Sequence, residues 1–192
     1  VKIEEYLKEH RDKPFICCEY LHSMGNANGA AHKYVELTER EPLFQGGFIW
    51  DFVDQTILRK DRDGNAEFAY GGDFDERPND YNFCGNGIVF GDRTITPKMQ
   101  EIKYVYQNFV ITVDAGQVTI KNKNLFISSS EFDCRVSLHR NGIFVKSETM
   151  ETNVAPQTTE TYANPFAKET ETGEYAITVS ILLKNDTVWA KK

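Results

Sequence analysis

Long apolar runs are missing from this sequence. No stretch approaches the roughly 18 residues that a membrane-crossing helix needs, so no membrane span is expected. No block of basic residues occurs either. The 192 residues carry 22 Lys and Arg against 29 Asp and Glu, a formal charge of −7 and a pI near 5.2. An acidic chain repels polyanions, which argues against a nucleic-acid partner. There is no internal repeat and no low-complexity tract. The first residues, Val1-Lys2-Ile3-Glu4-Glu5-Tyr6-Leu7, are charged throughout and do not read as a signal peptide, so a cytoplasmic location is expected. Cysteine is scarce: there are four, and none shows metal-ligand spacing. Reduced, packing thiols are the expectation. Cys17 and Cys18 are neighbours on an apolar run. On a strand they point to opposite faces, so they should fill both sides of a doubly buried sheet.

What is present suits a packed core: 40% hydrophobic residues, with 13 Phe, 9 Tyr and 2 Trp, which argues against disorder. The chain changes character near residue 104, from α/β to all-β. Ile3, Tyr6, Leu7 and His10 recur at helical spacing, and Pro14 closes that stretch. Phe15 to Cys18 reads as a buried strand. Residues Gly29 to Arg40 read as an amphipathic helix with Ala30, Ala31, Tyr34, Val35 and Leu37 on its apolar side. A second apolar run, Leu43 to Asp51, follows Pro42. Strand, helix and strand at this spacing form a βαβ unit with parallel neighbouring strands. Asp63-Gly64, between Thr56-Ile57-Leu58 and Phe68-Ala69-Tyr70, signals a hairpin inside a long polar segment from Asp51 to Lys98. A last helix is expected over Pro97 to Tyr106, with Met99, Ile102, Val105 and Tyr106 on its apolar side.

From Asn108 the pattern has period two. Phe109, Ile111 and Val113 are followed by Val118 and Ile120, then by Phe132, Cys134, Val136 and Leu138. Asn141-Gly142 is a strong hairpin signal leading into Ile143 and Val145. Tyr175, Ile177, Val179, Ile181 and Leu183 alternate most cleanly. About six such strands describe an immunoglobulin-like β-sandwich. The expected fold class is therefore α/β plus all-β. Residues 1–104 form the first part and residues 105–192 the sandwich. Two parallel strands cannot close a sheet, and their faces would stay uncovered. The first part must pack on something further: an upstream segment, a separate subunit or another copy.

Glu19 stands where the first strand gives way to the loop Tyr20-Leu21-His22-Ser23-Met24-Gly25-Asn26. Parallel α/β folds keep their catalytic groups at the C-terminal ends of strands. Only Asp51 occupies a comparable setting. Asp51, Asp54, Asp73 and Asp80 are otherwise expected to cap turns and loop amides, while His10, His32 and His139 read as solvated.

Four blocks in order carry a resemblance. They are Cys18-Glu19-Tyr20-Leu21-His22-Ser23-Met24-Gly25-Asn26, Gln45-Gly46-Gly47-Phe48-Ile49-Trp50-Asp51-Phe52-Val53-Asp54-Gln55, Tyr70-Gly71-Gly72-Asp73-Phe74, and Pro78-Asn79-Asp80-Tyr81-Asn82-Phe83-Cys84-Gly85-Asn86-Gly87. They resemble the large, multidomain, retaining β-galactosidases. The likeness runs through nearly the first 105 residues and is far weaker in the sandwich.

The resemblance implies that the first part is the end of a (β/α)8 barrel, its seventh strand ending at Glu19 and its eighth at Trp50. It implies Glu19 as nucleophile, His22 as a ligand of sugar hydroxyls and Trp50 as the aromatic floor of the galactose site. Phe83, through its carbonyl, and Asn86, through its amide oxygen, match positions around a sodium ion; hard cations prefer such oxygens. The acid/base glutamate, the magnesium ligands and an aspartate of the sodium site match positions upstream of Val1. Retaining chemistry needs two carboxyl groups about 5–5.5 Å apart, so the chain alone should not hydrolyse a galactoside. The implied partners are a galactoside, the remainder of the barrel and, in the complete enzyme, further copies in an oligomer.

Two other readings stand beside this one. A non-catalytic sandwich module for carbohydrate or subunit contact would make the α/β part a passive flank. A related enzyme could instead act on a glucuronide or mannoside, although His22-Ser23-Met24-Gly25-Asn26 leans towards galactose.

Overall fold

A computed structural model describes residues 2–192. The chain divides into two compact units between Tyr106 and Gln107.

In the first unit, α1 (Lys2–Glu9), β1 (Phe15–Tyr20), α2 (His32–Arg40) and β2 (Phe44–Ile49) follow in order. Strands β1 and β2 pair in parallel, Phe15 with Phe44 and Tyr20 with Ile49, as the βαβ spacing requires. Helices α1 and α2 cover one face of the pair. Leu7, Leu37 and Phe44 are buried together there, with Ile3, Phe15, Cys17 and Tyr34 packed against them. The opposite face has no cover within this unit, and Ile16 and Phe48 are 58% and 66% exposed.

Two cysteine side chains therefore fare differently. Cys17 is half-buried beneath the helices, whereas Cys18 is exposed. The expectation that both would be buried fails for Cys18, because a sheet of two strands has helices on one face alone. All four thiols are free.

Helix α2 also begins later than Gly29. Asn28 and Ala30 adopt φ of +74° and +62°, a left-handed backbone that cannot continue a right-handed helix. Ala31 is buried beneath the helix start, beside Ile88, Ile102 and Val105. Helix α3 (Lys98–Val105) contributes Ile102 and Val105 to that cluster, with Met99 packed on it. Tyr106, expected on the same apolar side, lies past the helix end and is exposed. Strands β3 (Ile57–Lys60) and β4 (Ala66–Ala69) form the expected hairpin.

The second unit holds β5 (Phe109–Val113), β6 (Gln117–Asn122), β7 (Phe132–Arg140), β8 (Ile143–Met150), β9 (Thr159–Ala163) and β10 (Tyr175–Leu183). They form two antiparallel three-stranded sheets, ordered β5-β6-β9 and β10-β7-β8. Phe109, Val118 and Ile120 of one sheet share a buried cluster with Cys134 of the other. Burial raises the Cys134 thiol pKa to about 11. The β7–β8 turn places Asn141 and Gly142 at φ of +51° and +78°, the geometry of a two-residue primed hairpin turn.

Strand β9 and the setting of His139 depart from the reading of the sequence. Strand β9, Thr-Glu-Thr-Tyr-Ala, shows no apolar alternation because only Tyr162 faces the core. Strand β8 is an edge, and Ile143 and Val145 are exposed on it. His139 is half-buried against Phe144 rather than solvated.

Asn122 closes this unit's loops. Fully buried, its amide Nδ2 donates to the carbonyls of Ile127 and Val154, each at 2.9 Å, and its Oδ1 accepts from the Asn124 backbone at 2.9 Å. Asn122→Leu keeps the volume but takes their partner from the Ile127 carbonyl and the Asn124 amide, while the Val154 carbonyl keeps the Ser129 amide at 3.0 Å. Each unpaired buried group costs about 1–3 kcal/mol, so urea unfolding of this unit should shift to a distinctly lower midpoint with an unchanged slope.

Candidate active site

The site is built from strand ends. The β1–β2 register is irregular between Cys17 and Tyr20. Both of those residues are partly covered, and the two between them, Cys18 and Glu19, are exposed. Glycines opposite permit this. Gly46 has φ of +104°. A Cβ on Gly47 would lie 2.8 Å from the Cys17 carbonyl oxygen and 2.9 Å from its Cβ, so only glycine lets the strands approach so closely. The Cys17 thiol donates to the Glu19 carbonyl at 2.9 Å. Tyr20, next in the chain, turns to the helix side: it packs edge-on against Tyr34 and shares a hydroxyl hydrogen bond with Tyr106. Burial, followed by that hydrogen bond, raises the Tyr20 phenol pKa.

Beyond the strands, the two loops stay joined. The Trp50 amide donates to the Tyr20 carbonyl at 3.2 Å, and the Ser23 amide to the Trp50 carbonyl at 2.6 Å. Glu19, His22 and Trp50 therefore sit on one short ladder, at the same end of the β1–β2 pair. Trp50 is 41% exposed, as a side chain with an open ring face must be, and it precedes a cis peptide bond to Asp51. The His22 ring stacks on Phe83, centroids 5.4 Å apart with planes 27° from parallel.

A third segment lies alongside. Asp51 N–H donates to the Asn86 carbonyl at 2.7 Å, Ile88 N–H to the Asp51 carbonyl at 3.0 Å, and Asp54 N–H to the Val89 carbonyl at 3.1 Å. The carboxylates here bind loop amides, as expected. Asp51 accepts from the Phe52 amide and Gln55 Nε2, Asp54 from the Gly87 amide at 2.7 Å, and Asp73 from the Tyr70 amide. Asp80 serves instead through its carbonyl, which accepts from Phe83 N–H.

Asn86 is buried, and its Oδ1 has no hydrogen-bond partner, while its Nδ2 donates to the Phe83 carbonyl at 3.3 Å. An unsatisfied buried acceptor beside a carbonyl with a lone pair to spare fits a hard monovalent cation. No comparable set exists for magnesium: among the described residues there is no group of three or more His, Cys, Asp and Glu able to hold a metal.

Lys98, which no motif singled out, also reaches this region. Its Nζ donates to the Ser23 carbonyl at 2.6 Å. Burial lowers its pKa, partly offset by the negative charge of Asp54.

Residues 1–111 match the glycosyl hydrolases family 2, TIM barrel domain, and residues 118–192 match beta-galactosidase, domain 4. The chain belongs to glycosyl hydrolase family 2. It is 47% identical to a beta-galactosidase of Halalkalibacterium halodurans over 99% of this chain and 19% of that protein. It is 46% identical to one of Clostridium acetobutylicum over 100% of this chain and 21% of that protein. A beta-galactosidase large subunit of Lactobacillus helveticus is 50% identical over 55% of this chain and 17% of its own length. The likeness to large β-galactosidases thus extends over the whole chain, which spans about a fifth of the first two relatives.

Proposed function

We propose that this chain supplies the nucleophile half of a β-galactosidase active site, releasing terminal β-D-galactose from β-galactosides such as lactose by retaining double displacement. The observation that carries the reading is the exposed Glu19 at the end of β1, joined through one ladder to the loops of His22 and Trp50. The named relatives are all β-galactosidases, which favours galactose over a glucuronide or mannoside.

In this mechanism the Glu19 carboxylate attacks the anomeric carbon as the bond to the leaving oxygen breaks, forming a galactosyl ester. A carboxylic acid from elsewhere in the barrel protonates the departing oxygen. The same group, now a base, then takes a proton from water, which cleaves the ester and frees Glu19. His22, held by Phe83, binds sugar hydroxyls, and Trp50 offers its ring to the sugar's apolar face. The Phe83 carbonyl and the Asn86 amide oxygen would hold a sodium ion, which supplies a hard positive anchor for sugar oxygens. The chemistry of the complete enzyme also draws on magnesium, with ligands supplied outside these residues.

The same reading takes residues 1–104 as the end of the (β/α)8 barrel, its open face covered by the remaining strands. It takes residues 105–192 as an immunoglobulin-like sandwich, which the shared core of the two sheets supports. We place the complete enzyme in the cytoplasm as an oligomer; four unpaired thiols suit a reducing compartment.

A 2-deoxy-2-fluoro-galactosyl fluoride slows both steps and should trap the ester. Digestion and mass spectrometry of the complete enzyme should then find the sugar on the peptide carrying Glu19. A sugar attached to any other side chain overturns the assignment.

A further inference from the structure

The two candidate sugar contacts, His22 and Trp50, belong to different loops, and Ser23 is the joint between them. Ser23 is fully buried. Its amide donates to the Trp50 carbonyl at 2.6 Å, and its hydroxyl donates towards the Leu21 carbonyl at 3.0 Å and Asn28 Oδ1 at 2.8 Å. Its own carbonyl receives the Lys98 ammonium at 2.6 Å.

Lys98 begins α3, and that helix start is itself anchored. The Thr96 hydroxyl donates to the Ile88 carbonyl at 2.5 Å, inside the segment that pairs with Asp51 and Asp54. Asp54, whose charge acts on Lys98, accepts from the Gly87 amide beside Asn86. One ammonium thus stands where the loops of His22, Trp50 and Asn86 meet the helix. A charged donor makes a stronger hydrogen bond than a neutral one, and the Ser23 carbonyl depends on it.

We propose that Lys98 is a positioning residue for the sugar site, setting His22 against Trp50 through the Ser23 carbonyl. The inference rests on the reading of those two residues as sugar contacts. Lys98 itself touches no substrate. Its loss should loosen ground-state binding of the sugar, and so raise KM and the inhibition constant of an inert galactoside far more than it lowers kcat.

The test uses the complete enzyme, with isopropyl β-D-thiogalactoside as competitive ligand and o-nitrophenyl β-D-galactoside as substrate. In Lys98→Met, which keeps the length and apolar stem but removes the charge, both constants should rise about tenfold, the effect of losing one charged hydrogen bond. In Lys98→Ala, propylammonium added to the assay should restore most of the affinity. An unchanged inhibition constant in Lys98→Met, with or without a lower melting temperature, overturns the inference, as does failure of the added amine. If Trp50→Ala also leaves thiogalactoside affinity unchanged, the underlying assignment of the sugar site has failed instead. A loss in Trp50→Ala with none in Lys98→Met refutes the role of Lys98 alone.

Discussion

Glu19→Gln in the complete enzyme is expected to abolish turnover of galactosides, with kcat reduced on the order of 10⁴-fold or more, as for other residues that act as part of one catalytic unit. The argument is chemical. An amide has the shape of the carboxylate but not its charge, so it neither attacks the anomeric carbon nor stabilises the positive charge that develops there. Glu19 is exposed, so the change should leave the packing beneath the helices intact. Melting temperature and thiogalactoside affinity should stay close to those of the unsubstituted enzyme. A second variant separates the nucleophile from a mere binding group. In Glu19→Gly, azide can occupy the vacated space, attack the sugar from the same face and give the α-galactosyl azide, with inversion. Retained activity in Glu19→Gln, or a product of β configuration with azide, removes Glu19 from its role.

The second large effect is structural. A Cβ on Gly87 would lie 2.2 Å from the Asp54 nitrogen, 2.2 Å from the Val89 oxygen and 2.7 Å from the Val53 carbonyl carbon. All three are backbone atoms, so no rotamer change relieves the clash. Gly87→Ala must therefore part the ladder between residues 51–55 and 84–89, at a cost of about 3 kcal/mol or more. It should also carry Asn86 and Asp51 out of place, so that residual folded enzyme binds sugar poorly. Gly29 is the control: a Cβ there meets nothing within 4 Å, and Gly29→Ala should change stability by about 0.5 kcal/mol or less. Differential scanning calorimetry of the two variants checks both statements. Equal melting temperatures would show that the segments are not packed as described.

Much of this architecture was legible in the residues. Period-two runs such as Cys134, Val136 and Leu138 are buried as strand patterning requires, and the strand-helix-strand spacing implies the parallel pairing of β1 and β2. The start of α2 was not legible. Ala30 is a strong helix former, yet the loop after Ser23 holds it left-handed, and local propensity yields to such tertiary constraint. Edge strands escaped for a related reason: with one side open to solvent, β9 needs no apolar alternation. Lys98 gave no signal because its partner is a backbone carbonyl 75 residues away, and nothing in either local sequence marks that pairing.

By itself the chain determined most of the stretches that become strands and helices, since burying alternate or every third-to-fourth side chain is a property of local order. It also put a carboxylate at position 19, the group that the proposed reaction needs as its nucleophile. Tertiary structure alone decided which side of β1 stays open, how the glycines let two strand ends close on each other, and which distant carbonyls meet Lys98 and Asn86. Those outcomes depend on atoms brought together from across the sequence, where a few tenths of an ångström separate a hydrogen bond from a clash.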